Sequence, residues 1–250
     1  MYQFFVDDCQ IGKEYVTITG SDVNHIKNVL RMKTGEEILI STGETMEYTC
    51  YIEEFLEDEV TAHIMYAQEA GYELSSKIYL FQGLPKSDKM EWIIQKAVEL
   101  GVHQVIPVAT KRAVVRLEGK KEVNKQRRWQ AISESAAKQS KRMQIPTVHM
   151  PVTFQQALAM MAESDVRLMP YENAEGMEGT RRILESIEPG ESIAILIGPE
   201  GGIDEAEVEM AMKEKVEPIT LGKRILRTET AGMTVLSILV YLLEGRERTR

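Results

Sequence analysis

Two glycine-containing stretches hold the residues whose types and spacing suit ligand chemistry, and the first is ILIGPEGG at residues 195–202. Its apolar run ends at Gly198, turns through Pro199 and presents the carboxylate of Glu200 before two more glycines. Glycine-rich loops after strands commonly bind phosphate, but this spacing matches neither the dinucleotide nor the P-loop fingerprint. Because Glu200 would repel a phosphate, the loop suits a neutral or cationic ligand such as an adenine nucleoside, read by main-chain groups.

The second stretch, LGKRILRTETAG at residues 221–232, again follows a strand-like segment and precedes a helix, which Thr228 is placed to cap. Three cationic side chains of this stretch lie near the start of the helix, where the positive end of the helix dipole disfavours cations. These cations therefore require an anionic ligand or a carboxylate such as Glu200 or Glu229. Taken alone, the first stretch is equally an ordinary tight turn, but the pair predicts a ligand site. The cations concerned are Lys223, Arg224 and Arg227.

Both stretches belong to a region, from about residue 75 onward, in which strand-like and helical patterns alternate. This alternation predicts a parallel sheet covered by helices on both faces, with ligand-binding loops at the carboxyl ends of its strands. Asp204 and Glu207 form a capping-box pattern in front of one helix. The predicted strands are KIYLFQ, HQVIPVA, VRLMP, SIAILIG and EPITLG, and the predicted helices contain residues 90–98, 127–141, 154–161 and 180–187, a segment from 204, and residues 231–243.

The first 70 residues show a different pattern, of short strands rich in β-branched and aromatic residues. One helix, SDVNHIKNVLR with Ser21 as its cap, interrupts them, and the whole predicts a small β-barrel or sandwich. Residues 67–76 are the predicted linker, which gives domains at 1–72 and 73–250. The predicted strands are YQFFV, EYVTI, EEILIS, MEYTCYIEEF and EVTAHIMY.

Composition excludes several classes of protein. Cys9 and Cys50 give neither a disulfide framework nor a metal-ligand spacing, so they fit a reducing cytoplasm and are interpreted as small core residues. The N-terminus has no basic region followed by an apolar one, so no secretion signal is predicted. The most apolar window, residues 231–243, is too short to cross a bilayer.

Charge is distributed unevenly along a chain whose net charge is −9. Residues 1–70 hold four Lys or Arg against fourteen Asp or Glu, whereas residues 111–142 hold eleven Lys or Arg against three Glu. The second segment has charge enough for a phosphate-binding face, but it is equally interpretable as a solvated helix surface.

The two glycine-containing stretches resemble the cofactor motifs of the SPOUT methyltransferases, whose C-terminal trefoil knot binds S-adenosylmethionine. The whole chain resembles, more narrowly, the RsmE family, which methylates N3 of a uridine in 16S ribosomal RNA. Other stretches that carry this resemblance are FFV, HIKNVLRM, GLPKSDKMEWIIQKAVELGV, KRAVVR and RRWQAISESAAKQSKRMQIP.

The resemblance implies an N-terminal PUA-like β-barrel for RNA, a C-terminal knotted α/β domain with a parallel sheet, and a homodimer in the cytoplasm. The implied cofactor is S-adenosylmethionine, whose sulfonium cation accounts for a glutamate in place of a phosphate-binding group. The implied cofactor-binding residues are Tyr171, Glu172, Ile197, Gly198, Pro199, Glu200, Gly201, Leu221, Gly222, Ile225, Leu226 and Arg227.

N3 of a uracil carries a proton, so the implied reaction needs a group that removes it or stabilises the anion. We expect Arg227 to stabilise charge on the uracil oxygens and Glu229 to orient the base or accept the proton, although a plain ion pair of these two side chains fits the sequence nearly as well. A sulfonium methyl group is already electrophilic, so no metal is expected.

The implied partner is 16S ribosomal RNA or the small ribosomal subunit, recognised through shape and phosphate. Gln3 stands where the family usually has arginine, so one phosphate contact is expected to be absent. Trp92 and Trp129 are interpreted as packing residues. The residues chosen as RNA contacts are His25, Arg31, Lys86, Arg112, Arg116, Lys138 and Arg142.

Other interpretations stay open at the level of sequence. The C-terminal helix is apolar on more than one face, which fits a homodimer and equally a monomer with a central helix. The same fold methylates other ribosomal or transfer RNA nucleotides, and a non-catalytic RNA-binding relative or a nicotinamide-dependent enzyme is a further alternative. Intact GPEGG and RILRTETA loops, and the missing dinucleotide fingerprint, disfavour the last two.

Overall fold

The computed structural model describes residues 1–43, 46–69, 71, 73–115, 117, 119–174 and 176–246. The chain divides into two compact units, one of Met1–Glu73 with Ala137–Ile145 and the other of Leu74–Ala136 with Pro146–Arg250. The sequence did not predict that Ala137–Ile145 groups with the N-terminal residues, because a helical pattern does not identify its tertiary partner. The domain limits 1–72 and 73–250 stay a prediction.

The N-terminal unit contains a five-stranded sheet in the order β1-β3-β4-β5-β2. Strand β1 pairs in parallel with β3, and the other pairs are antiparallel. A short 3₁₀ turn, Asp8–Gln10, follows β1, and helix α1, Ser21–Asn24, continues into a π-helical turn, His25–Val29. The strands are β1 Tyr2–Phe5, β2 Tyr15–Thr19, β3 Glu37–Ser41, β4 Met46–Phe55 and β5 Glu59–Glu69.

The sheet forms because alternate residues of its strands are apolar and meet in one core. Ile18, Ile38 and Ile52 are each at most 1% exposed in this core, and full burial of such a side chain stabilises the fold by about 1.5–3 kcal/mol. Cys50 is buried with them, as predicted, and burial raises the pKa of its thiol to about 12. The same prediction is wrong for Cys9, which is exposed in the 3₁₀ turn.

Two further predictions for this unit, the cap of α1 and the start of the linker, differ from the structure. Gly20, with a positive φ of 73°, occupies the N-cap position of α1, and Ser21 is the first helical residue. The left-handed conformation at the cap explains why glycine stands there. Strand β5 continues to Glu69, so residues 67–69 are strand rather than linker.

The second unit contains a parallel sheet in the order β12-β10-β11-β6-β7-β8, with β9 pairing with β7. Its strands are β6 Ile78–Gly83, β7 Gln104–Ala109, β8 Thr147–Val148, β9 Val152–Thr153, β10 Val166–Pro170, β11 Ile193–Ile197 and β12 Glu217–Ile219. Its helices are α2 Lys89–Glu99, the part of α3 Lys120–Ser140 up to Ala136, α4 Phe154–Met161, α5 Met177–Glu185, α6 Glu205–Lys213 and α7 Thr228–Glu244. The parallel sheet was predicted, but β8 and β9 were not, because two residues show no periodicity.

Burial on both faces explains the apolar character of the central strands. All five residues of β11 are buried. Trp129 is 3% exposed and packs in the core as predicted, whereas Trp92 is 45% exposed, so its interpretation as a packing residue is wrong for this chain. Within the described residues, no helix combines the length and the hydrophobicity that crossing a membrane requires.

Candidate functional site

Four adjacent parallel strands, in the order β12-β10-β11-β6, end at the same edge of the sheet. The segments that follow them surround a cavity of about 510 Å³, within the range of small-molecule sites. We call residues 198–203, after β11, the glycine loop and residues 220–227, after β12, the basic loop. The third wall is formed by residues 170–172 at the end of β10, and Lys89 of α2 completes the lining.

The structure brings every residue of the implied cofactor set to this one cavity, although the set comes from three separate loops. Parallel pairing explains this, because it places the carboxyl ends of all the strands at one edge. Their contact with a cofactor stays a prediction. The residues are Tyr171, Glu172, Ile197, Gly198, Pro199, Glu200, Gly201, Leu221, Gly222, Ile225, Leu226 and Arg227.

The glycine loop is folded tightly by contacts within the chain. A Cβ atom added to Gly83 would lie 2.7 Å from both the main-chain nitrogen and Cδ of Pro199, and one added to Gly198 would lie 2.9 Å from Cγ1 of Ile203. The N–H of Gly202 donates to the carbonyl oxygen of Pro199 at 2.9 Å. Only glycine allows the chains to approach this closely.

The predicted capping box behind the glycine loop is confirmed. The side chain of Asp204 accepts a hydrogen bond from the N–H of Ala206, and Glu207 accepts one from the N–H of Asp204. A hydrogen bond from Lys111 is the largest influence on Asp204, and it lowers the pKa of that carboxyl. The rear of the loop is therefore fixed to the start of α6.

Glu200 is held by two groups, one from the segment between β6 and α2 and one from the first residue of α2. Its Oε1 lies 3.1 Å from Nζ of Lys89, and the N–H of Lys86 donates to its two oxygens at 3.1 and 3.2 Å. Partial burial acts to raise the pKa of Glu200, but hydrogen bonds from its own N–H, from Lys89 and from Lys86 outweigh burial and lower it. Glu200 is thus an ionised carboxylate at neutral pH with a cation already beside it.

Lys89 is a site residue that the sequence reasoning missed. Its Nζ lies 3.3 Å from Oε2 of Glu229 as well as 3.1 Å from Glu200, and the hydrogen bond to Glu200 is the largest cause of the raised pKa of this ammonium group. A signal was present in the sequence, because a lysine at the start of a helix requires an anionic partner, as the cations of the basic loop do.

The basic loop has the opposite character. Lys223, Arg224 and Arg227 are exposed and line the cavity, and none of them makes a side-chain hydrogen bond or an ion pair with any residue that the structure describes. The alternative of a plain ion pair between Arg227 and Glu229 is therefore not what the structure shows, since Glu229 pairs with Lys89. Ile225, at the tip, is 84% exposed.

Thr228 connects the two loops and does not cap the helix. Arg227 occupies the N-cap position of α7, and the hydroxyl of Thr228 donates to the carbonyl oxygen of Gly198 at 2.6 Å. The same hydroxyl accepts a hydrogen bond of 2.8 Å from Nε2 of Gln82, a fully buried residue of β6. No local sequence pattern predicts this pairing, because Gln82 and Thr228 lie 146 positions apart.

Several predicted RNA contacts are accessible. His25 and Arg31 are exposed in the N-terminal unit, and Lys86 is exposed beside the cavity residue Lys89. Arg112 lies next to the glycine loop, where its Nη1 donates to the carbonyl oxygen of Gly201 at 3.2 Å. Arg116 lies outside the described residues.

Lys138 and Arg142 make ion pairs with residues of the N-terminal unit. Arg142 is 5% exposed and forms a two-pronged pair with Glu73, in which Nη2 and Oε2 are 2.5 Å apart. Lys138 lies 2.8 Å from Asp22. Their selection as RNA contacts stays a prediction. Gln3 is buried and donates to the carbonyl oxygen of Arg142 at 2.8 Å.

No group of three or more His, Cys, Asp or Glu side chains is placed to hold a metal ion among the residues that the structure describes.

Family models match most of the chain. The model described as RNA methyltransferase domain matches residues 72–240, and the model described as RNA methyltransferase PUA domain matches residues 18–64. The predicted fold class, a parallel-sheet methyltransferase domain after a small PUA-like β domain, is confirmed. The trefoil knot stays an implication of the resemblance.

Three similar proteins cover nearly the whole chain. Ribosomal RNA small subunit methyltransferase E of Bacillus subtilis is 40% identical over 231 residues, which are 91% of this chain and 90% of that protein. Its counterpart in Mesomycoplasma hyopneumoniae is 32% identical and covers 95% of this chain and 98% of its own. The crystal structure of the Neisseria gonorrhoeae enzyme, bound to S-adenosylmethionine, has a TM-score of 0.85 at 30% identity and covers 97% of this chain and 98% of its own.

Proposed function

We propose a function from one premise, which is that the chain belongs to the RsmE family of ribosomal RNA small subunit methyltransferases. The proposed activity is the methylation of N3 of a uridine in 16S ribosomal RNA, with S-adenosylmethionine as the methyl donor. The observation that carries the proposal is the single cavity that the ends of β10, β11 and β12 form with Lys89.

The residues of this cavity fit S-adenosylmethionine. The glycine loop offers main-chain groups without side chains in the way, and Ile197, Leu221 and Leu226 offer apolar contact for an adenine ring. The ionised Glu200 is incompatible with a phosphate docked on the loop but compatible with a cationic ligand. When bound, S-adenosylmethionine supplies a methyl group that is already electrophilic.

The residues of the protein must make N3 of the uracil able to accept the methyl group. N3 carries a proton, and its removal places negative charge on the two ring oxygens. Arg227 is the group proposed to stabilise this charge, since the residue lines the cavity and its side chain has no partner among the described residues. A guanidinium presents a planar fork of donors, which suits an anion delocalised over two oxygens.

Glu229 is proposed to orient the uracil or accept the N3 proton. It lies in the first turn of α7, two residues after Arg227, and Lys89 holds its carboxylate at 3.3 Å. An ionised carboxylate accepts hydrogen bonds only, so it can receive the N3–H.

The proposed RNA contacts come from both units. The exposed cations of the basic loop, Lys223 and Arg224, join the contacts chosen from sequence because they need an anionic partner that the described chain does not supply. Phosphate contacts of this kind position an RNA without reading its sequence. The remaining proposed contacts are His25, Arg31, Lys86, Arg112 and Arg116.

A homodimer in the cytoplasm is part of the proposal. Helices α2 and α7 pack against each other, and each leaves one large ring exposed, Trp92 at 45% and Tyr241 at 80%. Exposed aromatic residues are typical of the centres of protein interfaces. Light scattering of the purified protein measures its oligomeric state directly.

Mass mapping of 16S ribosomal RNA from cells that lack and then regain this protein tests the proposal. We expect one uridine to be lighter by about 14 Da, the mass that one methyl group adds, in cells that lack the protein. The mass should return, with the methyl group on N3, in cells that regain it. Calorimetry with S-adenosylmethionine, its demethylated product and NAD separates the alternatives. Binding of NAD alone, or of none of the three, contradicts the proposal, and a methyl group mapped to a transfer RNA assigns the same chemistry to another substrate.

A further inference from the structure

The segment of residues 82–89, from the end of β6 to the first residue of α2, contacts the glycine loop and the start of α7. At its start, Gln82 donates to Thr228, and at its end Lys89 pairs with Glu200 of the glycine loop and with Glu229. Between them, the N–H of Lys86 donates to Glu200. Residues from one short segment therefore reach two parts of the cavity region that are more than a hundred positions further along the chain.

Lys89 is the one group of this segment that pairs with carboxylates from both sides. Glu200 belongs to the glycine loop, and Glu229 belongs to the first turn of α7, directly after the basic loop. All three side chains are partly buried, with exposed fractions of 32% for Lys89, 27% for Glu200 and 18% for Glu229. Such pairs are screened less than fully exposed ones, and hydrogen bonds between ionised groups are the stronger kind.

Two carboxylates that share one cation repel each other when the cation is removed. Without Lys89, Glu200 would keep the N–H of Lys86 as a donor, whereas Glu229 has no other side-chain partner among the described residues. The expected consequence is that the start of α7 and the glycine loop move apart, which widens the cavity that they share.

We propose that Lys89 is a positioning residue, whose ammonium group joins the glycine loop to the start of α7 and so sets the shape of the cavity before any ligand binds. The proposal rests on the proposed function for its consequence in methyl transfer. Lys89 does not act as a proton acceptor, because its pairing with Glu200 raises its pKa and keeps it protonated.

The test compares Lys89→Met, Lys89→Arg and a matched control, Lys96→Met. Lys96 lies on the same helix and pairs only within it, with Glu99 at 2.8 Å. Two measurements are made on each protein, namely amide hydrogen exchange in the ligand-free state and the Kd of S-adenosylmethionine by calorimetry. Hydrogen exchange reports the local opening of each loop separately.

We expect Lys89→Met to accelerate exchange in the glycine loop and at the start of α7 and to raise the Kd of S-adenosylmethionine about tenfold, while the Kd of RNA stays within about twofold. Lys89→Arg, whose fork of donors serves two carboxylates, should return the Kd to within about threefold of the wild type. Lys96→Met should leave both measurements unchanged.

Wild-type exchange and wild-type Kd in Lys89→Met would overturn the proposal, and so would faster exchange confined to α2. Failure of Lys89→Arg to restore either quantity would also count against it. If the wild-type protein does not bind S-adenosylmethionine, the proposed function fails, but exchange in the ligand-free variants still decides whether Lys89 orders the glycine loop and the start of α7.

Discussion

The glycine loop and the basic loop line the same cavity, yet they differ in how far their polar groups are paired with other groups of the chain. In the glycine loop, Glu200 is paired with Lys89, Gly201 accepts a hydrogen bond from Arg112, and Asp204 caps the helix behind. In the basic loop only the stem is held, where the N–H of Gly222 donates to Thr220 at 3.3 Å.

The difference separates two tasks. A loop whose polar groups are already satisfied is preorganised, so it loses little freedom when a ligand binds. A loop whose cations have no partner within the described chain is available to an anionic one. We infer that the glycine loop shapes the cofactor pocket and that the exposed cations of the basic loop face the RNA, and four predictions test this division.

The largest effect is expected at Arg227 in the basic loop. Arg227→Ala should lower kcat about a hundredfold, because it removes the donor proposed to stabilise the uracil anion. Arg227→Lys keeps the charge without the fork and should lower kcat about tenfold. The Kd of S-adenosylmethionine should stay within about twofold in both, since the proposed task of the Arg227 side chain is to stabilise the uracil anion. Transfer of a labelled methyl group measures the rate, and a wild-type rate for Arg227→Lys contradicts the bidentate role.

The next effect is expected beneath the glycine loop. Gly83→Ala places a Cβ atom 2.7 Å from Pro199, so the loop must shift. The Kd of S-adenosylmethionine should rise about tenfold, and the free energy of unfolding should fall by about 1–3 kcal/mol, as overpacking requires. Gly179→Ala is the matched control, because its Cβ meets nothing within 4 Å and lies in helix α5. Equal behaviour of the two variants would show that the glycine loop is not tightly constrained.

A smaller effect is expected on RNA binding from the cations at the tip of the basic loop. The double variant Lys223→Gln, Arg224→Gln should weaken binding several-fold and reduce the slope of log K against log salt by about 1.4, as two lost phosphate contacts to a single strand require. Lys213→Gln, which removes an exposed cation from α6, should leave the slope unchanged. An unaltered slope in the double variant would place the RNA elsewhere.

The smallest effect concerns acid stability. The pKa of Glu200 is lowered in the folded protein, so its contribution to stability is present above its ordinary value of 4.5 and is lost as the pH falls below it. Glu200→Gln should therefore flatten the decrease of the melting temperature between about pH 5 and pH 3. Arg227→Ala should leave that decrease as it is, because Arg227 has no carboxylate partner among the described residues. A steeper decrease in Glu200→Gln would contradict the assignment.

Most of the fold was predictable because its signals are local. Alternating apolar residues identified strands such as β5, and helical spacing identified α2 and α4, since these periods follow from backbone geometry within one element. The predictions failed where the sequence has no periodic pattern of apolar residues. Strands β8 and β9 have two residues each, and Cys9 follows two aspartates that end the pattern before it.

The site was predictable to the extent that its residues lie in two contiguous motifs. The identity of the cofactor motifs came from the resemblance, and the structure places the whole implied set around one cavity. Charge alone did not distinguish Arg142 from Arg227, because both are arginines in basic stretches. One is 5% exposed and paired with Glu73, and the other lines the cavity without a partner in the described chain.

The sequence by itself determined most of the strands and helices and the two loops that line the cavity, because these depend on neighbours within a few residues. Tertiary structure alone decided the pairings, such as Lys89 with Glu229 across 140 positions and Gln82 with Thr228 across 146. The reason is physical. A periodic pattern specifies which face of an element is buried. It does not specify which distant charged group or hydroxyl will contact that element when the sheet forms.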